Sequence, residues 1–168
     1  TMDKKTLLPT VYQKIAHEGP EHNRDKVVFS RNGNTTIGQC THVGRKNGKL
    51  VPNETSTLEA EGATVDMLSS FYYMRALPYN TWNPGHVLTI NVFSGYKKEL
   101  LSIKYHGIEN VEIDGLNYQC YKITFIFTSD GRTKSSDDME AWIDTTNRIP
   151  IKLVGKLPVG SVQALYVP

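Results

Sequence analysis

Residues 141–165 read AWIDTTNRIPIKLVGKLPVGSVQAL, three short antiparallel strands joined by two tight connections. Ala-Trp-Ile runs into Asp-Thr-Thr-Asn-Arg, a cluster of turn formers. Ile-Pro-Ile-Lys-Leu-Val follows, then a Pro158–Gly160 corner and Ser-Val-Gln-Ala-Leu. Short apolar runs punctuated by Asp, Asn, Pro and Gly are the pattern of a β meander. Upstream, Tyr121, Ile123, Phe125 and Phe127 form a period-two apolar row, the clearest strand signal in the chain, with Cys120 on the opposite face. Asp114-Gly115 is the sharpest two-residue hairpin signal.

The same reading predicts strands over Leu7–His17, Lys26–Ser30 and Thr35–Val43, with Gly44–Gly48 as a loop. Further strands are expected over Val87–Phe93, Glu99–His106, Glu109–Ile113, Asn117–Phe127, Met139–Ile143, Ile149–Leu157 and Ser161–Val167. Gly95, Gly107 and Asp130-Gly131 punctuate them, and Ser129–Asp138 reads as a longer polar connection. There is no βαβ rhythm and no internal repeat. One helix interrupts the strands, Thr64–Leu77, with Thr64 as its cap, Asp66 complementing the positive helix end and Pro78 as its stop. Met67, Phe71 and Met74 line one side; Leu68, Phe71, Tyr72 and Arg75 line the adjoining one. So bulky a surface calls for cover on most sides. The expected fold is therefore mainly β: a curved antiparallel sheet or open half-barrel wrapping one central helix.

At 168 residues, 39% hydrophobic and 21% charged, the chain fits one β-rich domain with an ordinary core. A net charge of +2, with basic residues scattered in pairs, gives no footprint for nucleic acid. No apolar run is long enough to cross a bilayer as a helix. The opening residues lead almost at once into strand-like sequence, as in a chain whose leading part has been removed. Cys40 and Cys120 have no metal-like spacing. They either pair in an oxidising compartment or remain two buried thiols.

The chemistry search yields no catalytic motif, no cofactor site and no metal site. His17 and His22 flank Gly19-Pro20 at a spacing of five, which no zincin helix allows; as a strand end and turn they could still approach a cation, but exposed turn histidines are the simpler reading. His42, His86 and His106 stand singly at strand ends. Asp137, Asp138 and Glu140 read as solvated charge rather than a glycosidase pair. Asp144 holds its own turn through an Asx bond, and Arg148 is placed to pair with it across the turn.

Several segments resemble one family. They are Asp66-Met-Leu-Ser-Ser-Phe-Tyr-Tyr-Met-Arg75, Gly115-x-x-Tyr118-x-Cys120, Trp142-Ile-Asp144 with Arg148-Ile-Pro150, Gly160-Ser-Val162 and Met2-Asp-x-x-Thr6-Leu-Leu-Pro9. Together they resemble the DUF3108 family, exported proteins of Gram-negative bacteria without an established function. The resemblance spans nearly the whole chain and corresponds to the later part of the family's domain, so leading strands would be missing from residues 1–168. It implies a periplasmic or envelope location. The strand–Trp-x-Asp–turn–Arg-x-Pro–strand pattern is also similar to periplasmic lipoprotein carriers of the LolA/LolB type, in architecture alone.

Two readings of function stand nearly even. In one, the concave side near the helix binds an apolar or amphiphilic ligand, with Phe71, Tyr72, Met74, Arg75 and Trp82 lining it. In the other, the protein is a structural or partner-binding envelope component with a filled core; Trp142, Asp144, Arg148 and Pro150 form a structural motif in both. A hydrolase ranks third, and an exposed sheet edge would offer a route to a homodimer.

Overall fold

The computed structural model describes residues 1–19, 21–46, 49–129, 132–133, 139–156 and 160–167. Strands make up 70% of the structure. In chain order they are β1 (Val11–Glu18), β2 (Glu21–Asn32), β3 (Thr35–Lys46), β4 (Lys49–Glu61) and β5 (Thr64–Asp66), followed by the helix α1 (Met67–Ala76). A short 3-10 turn at Tyr79–Thr81 leads to β6 (Val87–Ser94), β7 (Lys97–Ile113), β8 (Leu116–Ser129) and β9 (Arg132–Thr133). The chain closes with β10 (Met139–Asp144), β11 (Pro150–Lys156) and β12 (Ser161–Leu165). One sheet has the order β1-β2-β3-β4; the other runs β12-β11-β10-β8-β7-β6-β5, with β9 on β8. Neither closes into a barrel, an architecture compatible with a curved sheet around a helix.

The chain forms two compact units, Thr1–Tyr73 with Ile90–Glu99, and Met74–Thr89 with Leu100–Pro168. In the first, alternation along β2 sends Val27 and Phe29 inward while Val28 stays 41% exposed. Tyr12, Val27, Phe29, Cys40, Ala60 and Phe93 make its core, with Leu58 and Met67 packed against them. Phe29 and Phe93 stack with centroids 5.8 Å apart. Gly38 leaves room for that stack, since a Cβ there would lie 2.6 Å from the Phe93 ring.

The second unit has two clusters. Tyr79 is fully buried, its hydroxyl donating to the Met74 carbonyl at 2.7 Å. Around it stand Trp82, Tyr105 and Tyr121, with ring centroids 5.1, 5.6 and 5.3 Å away. The Arg148 guanidinium covers Tyr121 at 4.6 Å and donates to the Leu77 carbonyl, while Arg75 Nε donates to the Arg148 carbonyl. The other cluster comprises Ile113, Cys120, Trp142, Ile151 and Val154. Lys122 and Lys152, cross-strand neighbours of Trp142, each stand 4.9 Å from its ring centre.

Several expectations need correction. The helix begins at Met67 rather than Thr64, because Thr64–Asp66 pair with β6 as a strand. Its cap is Asp66, whose Oδ1 accepts from the amides of Leu68 and Ser69 at 2.8 and 2.9 Å; the Thr64 hydroxyl instead donates to the Gly62 carbonyl. The β5–β6 pairing is parallel, so the sheet is mixed rather than a pure antiparallel meander. The helix is covered on most sides, with Ser69, Ser70 and Met74 buried and Met67, Phe71, Tyr73 and Arg75 half-buried, but the face of Leu68 and Tyr72 is not: they are 62% and 52% exposed. Residues 49–61, to which the sequence pattern assigns no element, form β4, and the loop expected at Gly44–Gly48 instead carries β3 through Lys46, with 47 and 48 outside the described residues. Glu99–His106 and Glu109–Ile113 are one strand, β7, which passes through Gly107 at φ 112°.

Asp144 and Arg148 do not form the expected pair across their turn. Asp144 Oδ1 accepts from the amides of Thr146 and Asn147, the Asx turn anticipated, but the Arg148 side chain turns to Leu77 and Tyr121. Asp114-Gly115 does make the β7–β8 hairpin, with φ of 52° and 77°. The corner at Pro158, the Asp130-Gly131 turn, most of the Ser129–Asp138 connection and the carboxylates Asp137 and Asp138 lie outside the described residues. Among the described residues no helix is long and apolar enough to cross a membrane.

Candidate functional site

The first unit contains an open cleft of about 400 Å³. Its lining comes from three stretches far apart in sequence: Thr1 and Met2, then Val11–Gln13 of β1, then Asp66, Leu68, Ser69 and Tyr72 at the start of α1. β1 alternates, so Tyr12 faces the core side at 7% exposure while Gln13 is exposed. Leu68 and Tyr72, four residues apart on one helix, form an apolar lip. At its start the helix buries Ser69 and Ser70 and presents Leu68 and Tyr72 outward, an inversion of the usual placement at those four positions, while Met74 further along is buried in the ordinary way.

The polar content is sparse. Asp66 is 4% exposed and is committed to the helix start, and Ser69 Oγ accepts from the Asp66 amide at 2.9 Å. Burial pushes the Tyr12 hydroxyl up, and the charges of Asp66, Asp25 and Glu99 push it further the same way. Apolar walls with a few fixed polar groups, at this volume, are what small-ligand sites require. A smaller hollow of about 200 Å³ lies in the second unit, among Val87, Ser102–Lys104 and Thr124–Ile126.

Of the five lining residues expected from sequence, Tyr72 alone lines the larger cleft. Phe71 is half-buried in the same unit. Met74, Arg75 and Trp82 belong to the second unit, where Met74 is buried and Trp82 packs on Tyr79 and His86. Sequence reasoning missed Val11, Tyr12 and Asp66 as lining, because no local pattern brings β1 beside the start of α1. The exposed side of Leu68 and Tyr72 was visible as a face, but its orientation was not.

Two histidine arrangements carry geometry. His17 and His22 are cross-strand partners in β1 and β2 with Nδ1 atoms 3.0 Å apart, so they are strand rather than turn residues; His17 is exposed and His22 half-buried. Among the described residues no group of three or more His, Cys, Asp or Glu is placed to hold a metal ion. His42 Nδ1 lies 2.6 Å from Asp25 Oδ1, with Tyr96 edge-on to the imidazole at 5.6 Å. This holds the ring between a carboxylate and an aromatic side chain. The expectation of a lone strand-end His42 is corrected: Asp25 is its partner.

Cys40 and Cys120 are free, buried thiols in different units. Burial pushes Cys120 up to about 11, with the charges of Asp144 and Glu109 adding to it. An unfolded cysteine ionises near about 8.5, so from there towards about 11 the unfolded state gives up a proton that the folded state keeps. Stability is unaffected by this thiol at lower pH and falls as pH rises through that window. Urea midpoints under reducing conditions at about pH 7.5 and about pH 9.5 will therefore drop, and drop less in Cys120→Ala.

A family model described as a protein of unknown function, DUF3108, matches residues 1–166. The chain belongs to the DUF3108 family. No curated protein and no solved structure matches it, and the likeness to LolA/LolB-type carriers is not shown. For this DUF3108 protein the site must be argued from its own residues, and the cleft of the first unit is the place where the side chains converge.

Proposed function

We propose that this DUF3108 protein is a non-catalytic, exported protein of the periplasm or envelope that binds an apolar or amphiphilic small molecule in the cleft of its first unit. The observation that carries this reading is the apolar lip of Leu68 and Tyr72, 62% and 52% exposed, above a cleft of about 400 Å³ with Tyr12 in its wall. Leaving these two side chains 62% and 52% exposed forgoes roughly half of the about 1.5–3 kcal/mol that full burial of a large apolar side chain supplies, which an occupant would recover. Export is supported by the family resemblance alone.

The test is displacement of a fluorescent amphiphile by a neutral detergent below its micelle concentration. Leu68→Gln and Tyr72→Gln, both at exposed positions, should leave stability within about 0.5 kcal/mol. Each should weaken binding about tenfold, the equivalent of about 1.4 kcal/mol. Absence of any binding by the unaltered protein overturns the proposal.

A second reading, a partner-binding envelope protein, draws on β12. That strand ends its sheet with all five residues exposed, Val162 and Leu165 at 59% and 52%. Unpaired strand edges template pairing with another chain. Sedimentation that shifts with concentration would favour this reading.

A further inference from the structure

We infer that the cleft selects by charge, taking amphiphiles with a cationic or uncharged head and turning away carboxylate- or sulfate-headed ones. This rests on the binding reading above and sharpens it. Asp66 is the one charged side chain among the described residues that line the cleft. The amides at a helix start are the usual place for an anionic group. Here the amides of Leu68 and Ser69 already donate to Asp66 Oδ1 at 2.8 and 2.9 Å, so the protein's own carboxylate holds the position an anionic head would need.

The neighbouring cation is engaged elsewhere. Arg31 donates to the carbonyls of Pro9 and Thr64 and stands over the Phe29 ring at 5.9 Å, outside the lining. The upward push that Asp66, Asp25 and Glu99 exert on Tyr12 reports a negative field at the wall. A cationic head would meet that field and the ring of Tyr72, both attractive; a carboxylate would meet the same field as repulsion.

The experiment uses three dodecyl amphiphiles with matched tails: dodecyltrimethylammonium, dodecyl maltoside and dodecanoate, each below its micelle concentration at low ionic strength. Calorimetric titration should rank them in that order, the first at least about tenfold tighter than the last. Asp66→Asn keeps an oxygen for the helix cap, so the fold is retained. In that variant the ratio should shrink to about threefold or less. Equal affinities for the three, or a ratio that survives Asp66→Asn, overturn the charge inference and leave the cleft reading standing. Binding of none, or binding indifferent to Leu68→Gln, overturns the cleft reading beneath it.

Discussion

Tyr79→Ala will destabilise the protein by about 3–5 kcal/mol, the largest effect expected of any single substitution outside the turns. The ring is fully buried and touches three other aromatic rings with centroids within 5.1–5.6 Å. Removing it leaves a hollow that Trp82, Tyr105 and Tyr121 cannot all collapse into, because Arg148 is held in place by Leu77 and by the Tyr121 face. Tyr79→Phe separates packing from hydrogen bonding. It retains the ring and loses only the hydroxyl that donates to Met74, for about 0.5–1.5 kcal/mol. Urea unfolding of the two variants checks the difference, and similar losses would mean that the hydroxyl rather than the ring anchors this unit.

Gly38→Ala will cost about 1–3 kcal/mol although it adds one methyl group. The added carbon would lie 2.6 Å from Phe93 Cδ2 and 3.1 Å from Val27 Cγ1, and both side chains are fully buried. Phe93 cannot retreat, because it stacks on Phe29. Alanine restricts the unfolded chain more than glycine does, which offsets about 0.4–1 kcal/mol of the clash but does not reverse its sign. Gly155→Ala in β11 is the control: a Cβ there meets nothing within 4 Å. It should be neutral or slightly stabilising. If both substitutions behave alike, close contact at Gly38 is not what places the glycine there.

The parts of the fold that could be read from sequence are those where one residue type has one structural use. Asp114-Gly115 announces its hairpin because two successive positive φ angles suit few other pairs. The β8 row Tyr121, Ile123, Phe125 announces its strand because every second side chain is buried. β4 escaped notice because it faces the core with only Leu58 and Ala60, while Asn53–Thr57 between the turn and those two residues is polar and exposed. A strand that buries so little has no apolar period to detect.

The helix was legible in existence but not in its start or its facing. Thr64 and Asp66 are both good caps by type, and the choice between them is made by pairing of Thr64–Asp66 with Asn91–Phe93, a contact distant in sequence. Which side of Met67–Ala76 is buried was likewise decided by tertiary packing that selects small serines. The cleft follows from that inversion. Its tyrosine at position 72 could be nominated from aromatic content, whereas Tyr12, sixty residues earlier in the chain, could not.

The claim that the cleft of the first unit is a ligand site is tested most directly by mapping where an amphiphile lands. Amide resonances of the protein should be followed by NMR as dodecyl maltoside is added below its micelle concentration. The account predicts saturable shifts centred on Val11–Gln13 and on Asp66–Tyr72, with Leu68→Gln needing about tenfold more amphiphile to reach the same extent. Shifts centred instead on β12, or on the hollow beside Phe125, would contradict it.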